Sequence, residues 1–361
     1  MAPAPSRRRL LPPSRRTALL LTVATALLAT LLASVVGVSP VSASVRGTPS
    51  EPTDPTDPTA LMGGLPTTGT TGRPAGPSAR ARQNPDRVQL PDACRTPKGY
   101  LKPKKCTVLP HRPGAPTVVV WGDSHAWQMV PALRAAIGDR PVNLVSFLQG
   151  ACPPMNSRLQ TEQERAEKNS CDVMGKTTLR YLRHAMKKGR TIRLVVALSW
   201  ELYHDVTDEP NADDVLYPGY SNDFIRTNAH KALTGVPRAF RTLGNLKVPT
   251  DLVGQMPMVY ENAPSCPAGR YRCDLPRRGT MKDEDENLAT ARRMRSVLVK
   301  PAKLIQPSPF FCTNRVCKGT VRGVPAYYDQ FHIGARASEK LGPEYFTPTV
   351  AKVLKASRRT R

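Results

Sequence analysis

The sequence lacks the cysteine and histidine spacing of a structural zinc site. None of its eight cysteines lies in a Cys-x-x-Cys pair, and the six histidines are scarce near them. Tetrahedral zinc sites need four cysteine or histidine ligands, which usually come in such close pairs. We therefore predict no metal site, and we also predict no cofactor.

Acidic residues are few. The 28 aspartates and glutamates are outnumbered by 53 lysines and arginines, which gives a formal net charge of +25. Five of these charges come from arginines before Ala43, so the remainder carries +20. Such an excess attracts polyanions at long range and weakens with salt. No nucleic-acid recognition motif is present, so we expect an anionic cell-envelope glycan or a lipid surface as partner. A basic bias that serves only solubility is the alternative.

Residues 1–43 have the pattern of an export signal. Five arginines precede an apolar stretch from Ala18 to Val38, and Val41-Ser42-Ala43 resembles a cleavage site. The stretch of about 21 residues is also long enough to span a bilayer. We predict a signal peptide or signal anchor over 1–43. The arginines orient the remainder out of the cytoplasm, so the protein is predicted to be extracytoplasmic, either secreted or tethered to the membrane by this segment.

Residues 44–92 have few large apolar side chains and are rich in proline, threonine, glycine and serine. Such a segment cannot bury a core, so we predict a disordered linker. Residues 93–361 are long enough for one α/β domain with a sizeable interior.

An even number of cysteines in an exported chain predicts disulfides. Connectivity does not follow from the sequence, so the pairs rest on proximity alone. They are Cys94 with Cys106, Cys152 with Cys171, Cys266 with Cys273, and Cys312 with Cys317.

Apolar β-branched runs alternate with helical patterns through the domain. The predicted strands are 118–121, 142–147, 192–198, 250–255 and 304–310, and helices are predicted over 126–137, up to about 188, 224–243, 285–299 and 335–353. Five repeats of strand and helix predict a three-layer α/β/α sandwich, with a central parallel sheet of about five strands.

The first predicted strand leads into Gly122, Asp123, Ser124 and His125. Ligands of α/β sheets bind where strands end, so Ser124 is a candidate nucleophile, and the first N–H groups of the next helix can stabilise negative charge. A plain helix cap is the alternative. We expect His125 to pack or to face substrate, because adjacent side chains point in different directions.

Asp329 and His332 lie 205 and 208 positions after Ser124 in the sequence. A neutral imidazole can accept the serine proton near pH 7, and an aspartate three residues earlier can hold its tautomer. Ser124, His332 and Asp329 are therefore predicted to form a hydrolytic triad. In the alternative, Asp329 caps the following helix and His332 is a surface residue.

With these residues the chain resembles the SGNH, or GDSL-like, hydrolase superfamily. It is most similar to the extracytoplasmic SGNH domain fused to membrane acyltransferases of family three, over about residues 112–357. The similarity implies an SGNH, flavodoxin-like fold. It is carried by Gly122-Asp123-Ser124-His125, Gly150-Ala151-Cys152-Pro153-Pro154, Val195-Val196-Ala197-Leu198-Ser199-Trp200 and Asp329-Gln330-Phe331-His332-Ile333.

The resemblance implies an oxyanion site made by the backbone N–H groups of Ser124 and Gly150 and by an asparagine side chain. The asparagine is missing, because Ser199-Trp200-Glu201 stands at the end of the third strand. Asn222 follows about 20 residues late, and we expect it to cap a helix. Losing one such donor typically costs about 10² to 10³ in rate.

The resemblance further implies serine-dependent O-acyl transfer, with acetyl expected, to or from cell-envelope polysaccharide, and a separate membrane acyltransferase as donor. A secreted carbohydrate esterase is an alternative, because water can replace the sugar hydroxyl. The other is a non-catalytic wall-binding module with a vestigial triad. Trp121, Trp127 and Trp200 lie near the predicted site, where they can stack on a sugar or belong to the core.

Overall fold

The computed structural model describes residues 86–95, 102, 104–150, 152–156, 170–200, 222–259, 273–329 and 331–359. The predicted signal segment and most of the predicted linker lie outside these ranges. Its strands are β1 (Cys106–Thr107), β2 (Thr117–Gly122), β3 (Asn143–Leu148), β4 (Ile192–Ala197), β5 (Thr250–Val253), β6 (Leu275–Pro276), β7 (Lys303–Ile305), β8 (Val316–Cys317), β9 (Thr320–Val321) and β10 (Val324–Pro325).

Six of these strands form one sheet in the order β1-β3-β2-β4-β5-β7. The last five of this order pair in parallel, and β1 is antiparallel to β3. The parallel strands follow the doubly wound, flavodoxin-like order, in which ligands bind where the strand order reverses. That point is the carboxyl end of β2, because β3 lies on one side of β2 and β4 lies on the other.

The helices are α1 (Ser124–Trp127), α2 (Val130–Ile137), α3 (Ser170–Lys187), α4 (Asn222–Asn245), α5 (Arg277–Thr280), α6 (Glu284–Ser296), α7 (Ser308–Phe311), α8 (Ala335–Tyr345) and α9 (Thr347–Arg359). A short 3-10 turn spans Asp92–Cys94. Two small antiparallel pairs, β6 with β8 and β9 with β10, lie outside the main sheet.

Both faces of the sheet are buried, because β2, β3, β4 and β5 consist of buried residues throughout. In β2, Val118 and Val120 pack in a core with residues of α2, α8 and α9. Val119 and Trp121 point to the other core, with residues of α3, α4 and α6. Each such buried apolar side chain contributes roughly 1.5–3 kcal/mol. The predicted α/β sandwich with a parallel sheet is confirmed, with β1 as an additional antiparallel strand.

Three predicted elements differ in detail. The predicted helix 126–137 is divided into α1 and α2, and the predicted strand 304–310 ends at Ile305. Helix α7 follows with Pro309 in its first turn, where the fixed φ of proline favours a helix start. The predicted helix 335–353, in which Pro343 and Pro348 are candidate break points, is broken after Tyr345 and continues as α9 to Arg359, while Pro343 is accommodated inside α8.

The folded part begins before residue 93. Val88 and Leu90, which the sequence assigns to the linker, are 6% and 5% exposed and pack in the core on the α2 side. Residues 86–92 therefore belong to the body of the domain.

Three predicted disulfides are present: Cys94–Cys106, Cys152–Cys171 and Cys312–Cys317. Cys273 is also disulfide-bonded, and its predicted partner Cys266 lies outside the described residues. Disulfides are typical of proteins outside the reducing cytosol, in agreement with the predicted extracytoplasmic location. Of the helices described, none combines the length and apolar character needed to cross a bilayer.

A buried ion pair connects the sheet to α9. The Arg193 guanidinium of β4 donates to both carboxylate oxygens of Asp251 in β5, with Nε 2.7 Å from Oδ2. The Thr349 hydroxyl donates to Oδ2 at 2.7 Å, and the backbone N–H of Lys303 donates to Oδ1 at 3.1 Å. Because Asp251 is fully buried, its charge depends on these donors.

We expect Asp251→Ala to lower the free energy of unfolding by about 3–5 kcal/mol, because it leaves the buried Arg193 charge without its partner. Urea denaturation of the full-length protein measures the loss. The double variant Arg193→Met/Asp251→Leu removes both charges and should lose less than half as much. Equal losses in the two variants would contradict a role for charge pairing.

Candidate active site

The chain turns sharply from β2 into α1 at the carboxyl edge of the sheet. Gly122 is the last residue of β2, and a Cβ there would overlap the carbonyl oxygen of Ala197 and lie 2.7 Å from Cβ of Ala126. Only glycine therefore lets β2 approach β4 and α1 this closely. The turn leaves Ser124 as the first residue of α1, half-buried at the switch point.

Asp123 caps α1 and connects two strand ends. Its Oδ1 accepts the backbone N–H of His125 at 2.7 Å, and its Oδ2 accepts the backbone N–H of Ser199 at 2.9 Å. Burial raises the pKa of Asp123 to about 6, although these backbone hydrogen bonds oppose the rise. Asp123 thus fixes the position of the Ser124 turn relative to the end of β4.

Asp329 and His332 form a directly hydrogen-bonded pair. Nδ1 of His332 lies 2.8 Å and 2.9 Å from the two carboxylate oxygens of Asp329. Oδ1 of Asp329 also accepts the backbone N–H groups of Phe331 and His332, each at 2.8 Å. The carboxylate therefore orients both the imidazole and the turn that carries it.

This pairing determines the protonation behaviour of His332. Burial alone lowers the pKa of this imidazole, but the charge and hydrogen bond of Asp329 outweigh burial, so the pKa is raised. Burial also opposes ionisation of Asp329, yet the His332 charge and the hydrogen bonds hold its pKa below the usual value. Each group thus favours the charged form of the other.

The second ring nitrogen of His332 makes no hydrogen bond with Ser124. Nε2 is buried and has no hydrogen-bond partner within the described part of the chain. His332 and Ser124 line the same small pocket, together with Trp127, Gln128 and Tyr328. The structure thus brings together the three residues of the predicted triad, whose catalytic roles remain predictions.

Gln128 holds the histidine loop against the helix after Ser124. Its Oε1 accepts the backbone N–H of Ile333 at 2.7 Å, and its carbonyl accepts the Ser338 hydroxyl of α8. The Ser338 oxygen in turn accepts the backbone N–H of Ala132 at 3.2 Å. These buried bonds connect α1 and α2 to the segment that follows His332.

His125 occupies a different environment from His332, although their ring centroids are 5.4 Å apart. Burial, together with the nearby charge of His332, lowers the pKa of His125 to about 3. The imidazole is therefore neutral at neutral pH. Unlike His332, it has no carboxylate hydrogen-bonded to its ring among the described residues, so a packing role fits it better than that of the base.

Strand register places the two predicted oxyanion donors at one edge. Gly122 pairs with Leu148 of β3 and with Ala197 of β4. Ser124, Gly150 and Ser199 each lie two residues beyond these positions, so their backbones emerge at the same end of the sheet. The Ser199 N–H is occupied by Asp123. The donor roles of Ser124 and Gly150 stay predictions.

No side-chain amide replaces the missing asparagine at the described end of β4. Trp200, 1% exposed, donates its Nε1–H to the carbonyl of Val253 at 2.7 Å and is part of the core. Trp121 is fully buried as well. Asn222 is the first residue of α4. Of the three tryptophans, Trp127 alone lines the pocket.

The site contains two features that the sequence analysis missed, Gln128 and the pocket wall formed by Arg87 and Val88. In the sequence, the only sign that Gln128 belongs to the site is its position one helical turn after Ser124. Among the described residues, no cluster of three or more potential metal-ligating side chains occurs.

Comparison with known proteins identifies the family. A family model described as the SGNH domain fused to AT3 domains matches residues 93–346. The chain belongs to this family. Its SGNH hydrolase-type domain indicates an enzyme of the acyltransferase or esterase type. No match is found among curated proteins.

Among solved structures, the chain is similar to the periplasmic domain of the lipopolysaccharide acetyltransferase of Salmonella ser. Paratyphi A. The two are 12% identical with a TM-score of 0.41, over 67% of this chain and 85% of that domain.

We expect His332 to titrate above its ordinary pKa of 6.5. Asp329→Asn removes the stabilising charge while burial remains, so the pKa should fall below 6.5. NMR titration of the ring protons measures both values, and His125, neutral down to about pH 3, is the internal control. In the wild type, base-dependent activity should therefore rise with pH through a midpoint above 6.5. An unchanged His332 titration in Asp329→Asn would refute the pairing.

Proposed function

We propose that the protein transfers O-acyl groups, in the first instance acetyl, to or from cell-envelope polysaccharide through an acyl-serine intermediate. The observation that supports this proposal is the His332 imidazole, which Asp329 holds at Nδ1 at 2.8 Å and which lines the same pocket as Ser124. General-base activation requires in addition that Nε2 come within hydrogen-bond reach of the Ser124 hydroxyl, a contact that can form when substrate binds.

In the first half-reaction, Ser124 Oγ attacks the ester carbonyl carbon while Nε2 of His332 accepts the hydroxyl proton. The tetrahedral intermediate collapses when the bond to the leaving oxygen breaks, and His332 donates its proton to that oxygen. Asp329 stabilises the imidazolium present between these two transfers. The products are the deacylated alcohol and an acyl-serine.

In this proposal, the backbone N–H groups of Ser124 and Gly150 stabilise the negative charge that develops on the oxygen of the tetrahedral intermediate. Both emerge at the carboxyl edge of the sheet by strand register. Such preorganised donors are usually the largest contribution to acyl-transfer catalysis. With the asparagine donor missing, slow turnover on simple esters is expected.

In the second half-reaction, His332 takes a proton from the hydroxyl that attacks the acyl-serine, and it returns this proton to Ser124 Oγ when the bond from Oγ to the acyl carbon breaks. A sugar hydroxyl gives transfer, and water gives hydrolysis. We favour transfer because the family is named for its fusion to AT3 domains. A separate membrane acyltransferase would then supply the acyl donor.

The proposed substrate is an anionic glycan of the cell envelope. A net charge of +20 beyond Ala43 favours such polymers by long-range attraction. Residues 1–43 would export the chain or tether it to the membrane. Either would place the domain on the outer side of the membrane, where this glycan lies.

Incubation with p-nitrophenyl acetate, with and without an oligosaccharide acceptor, tests the proposal. Acetylated sugar is the expected product, and release of acetate alone would indicate an esterase. Ser124→Ala should reduce either activity by about 10⁴-fold or more, and Asp329→Asn by about 10⁴-fold.

The matched control is Ser296→Ala, which changes an exposed serine at the end of α6 and should leave the rate unchanged. If wild type and Ser124→Ala were equally active or equally inactive, the catalytic proposal would fail. Retained salt-sensitive glycan binding without turnover would instead indicate a wall-binding module.

A further inference from the structure

Helix α3 carries a row of exposed basic side chains along one side. The members are spaced four, three and four residues apart: Lys176, Arg180, Arg183 and Lys187. At about 3.6 residues per turn, these positions fall within an arc of roughly 60° around the helix axis. The row is about 16 Å long, because each residue of a helix adds about 1.5 Å. We call these four residues the α3 basic row.

The opposite side of α3 packs in the core. Met174, Leu182 and Ala185 are at most 1% exposed and belong to the core that α3 forms with α4, α6 and the sheet. These residues lie on the other side of the helix from the basic row by the same periodicity. The packing therefore fixes the row toward solvent.

The row is scarcely neutralised by acidic groups. Asp172 is the one acidic residue of α3, and its buried Oδ2 lies 3.9 Å from Nζ of Lys176. Within the part of the chain that the structure describes, the side chains of Arg180, Arg183 and Lys187 form no ion pair or hydrogen bond. Three of the four charges are therefore available to a partner.

Two further cations lie beside the row, around the ring of Tyr181. Nζ of Lys105, which directly precedes β1, lies 5.8 Å from the centroid of this ring. Arg190, three residues after the end of α3, is close enough for its charge to act on the Tyr181 hydroxyl. Both cations are exposed. Positive charge therefore extends from the row toward the edge strand β1.

The row begins near the edge of the sheet that carries the candidate site. A disulfide joins Cys171, in the first turn of α3, to Cys152. Cys152 follows Gly150, the proposed oxyanion donor at the end of β3, by two residues. Lys176 is five residues beyond Cys171, or about 8 Å along the helix. A polymer bound along the row can therefore continue toward this edge.

A single line of charges suits a linear polymer better than a bilayer. A helix that binds a membrane surface inserts a broad apolar face next to its basic residues. The apolar face of α3 is in the core, and among its described side chains only Val173, 39% exposed, is both large and apolar and open to solvent. Successive anionic groups of an extended chain can instead meet successive cations of the row.

We propose that the α3 basic row binds a linear anionic polymer of the cell envelope and holds it beside the edge where Ser124 lies. The ligand class is a polymer with repeated carboxylate or phosphate groups, whose oxygens accept hydrogen bonds from guanidinium and ammonium groups. This inference rests on the proposed function for the nature of the polymer, but binding at the row does not require turnover.

Calorimetry measures binding of the full-length protein to polygalacturonate, to poly(glycerol phosphate) and to neutral dextran. The triple variant Arg180→Gln/Arg183→Gln/Lys187→Gln should weaken binding of at least one charged polymer by about 10–100-fold, because it removes three exposed charge contacts. A loss for one charged polymer alone identifies the anion that is recognised. Dextran should not bind, and the affinity for the charged polymer should fall as salt is added.

The matched control is Arg292→Gln/Arg293→Gln/Arg295→Gln, which removes the same net charge from exposed positions of α6. It should weaken binding by less than about threefold, because only long-range attraction is reduced. The single variant Arg183→Gln should weaken binding by about 2–5-fold. This single variant keeps the test valid if the α3 triple variant is unstable, and thermal unfolding verifies the fold of each protein.

Equal losses in the two triple variants would show that net charge rather than the row controls binding, and would overturn the proposal. Equal affinity for dextran and the charged polymers would overturn it as well. Binding through the row to phosphatidylglycerol vesicles, without binding to either charged polymer, would indicate a lipid surface instead and would also contradict the proposal.

Turnover separates this proposal from the catalytic one. The α3 variants leave the pocket at Ser124 unchanged, so hydrolysis of the small neutral ester p-nitrophenyl acetate should change by less than about twofold. An inactive wild-type protein that binds a charged polymer through the row would overturn the proposed catalysis and leave the binding surface standing. An active protein without row-dependent binding would do the reverse.

Discussion

A buried hydrogen bond joins two segments that are 205 residues apart in sequence, from the backbone N–H of Ile333 to Oε1 of Gln128 at 2.7 Å. Gln128 ends the first turn after Ser124, and Ile333 follows His332, so this bond connects the histidine segment to the helix that begins at Ser124. A buried N–H without its acceptor would cost about 1–3 kcal/mol. The loop that carries Asp329 and His332 is thus stabilised next to the helix that begins at Ser124.

Local surroundings separate two histidines and two aspartates into different roles. Burial raises the pKa of Asp123 to about 6 and lowers that of His125 to about 3, so both disfavour charge. Asp329 and His332 bond to each other, and the pKa of each shifts toward the charged form. The imidazole that can hold a proton during the reaction is therefore the one with a carboxylate partner, while its neighbour 5.4 Å away stays neutral.

Much of the sheet follows from the sequence, because buried parallel strands such as β2 and β4 are mostly apolar runs rich in β-branched residues. The Asp329–His332 pair and three disulfides were also predictable from motif and proximity. Features that depend on distant partners were not. Strand β1 has two residues and no periodicity, Val88 lies in a polar, proline-rich context, and the role of Gln128 requires Ile333 to be placed first. The sequence shows that the asparagine is missing at the end of β4. It does not show that the Ser199 N–H bonds to Asp123 and the Trp200 side chain to Val253.

Reaction with a fluorophosphonate, followed by mass-spectrometric mapping of the adduct, tests most directly whether Ser124 is a nucleophile activated by His332. The phosphonyl group imitates the tetrahedral intermediate and attaches only to an activated hydroxyl. We predict a single adduct on Ser124 in the wild-type protein, with labelling slowed by about 10²-fold or more in His332→Gln, since general-base assistance contributes about 10² to 10⁴ in rate. An adduct on another residue, or labelling of Ser124 at an undiminished rate without the imidazole, would contradict the assembled triad.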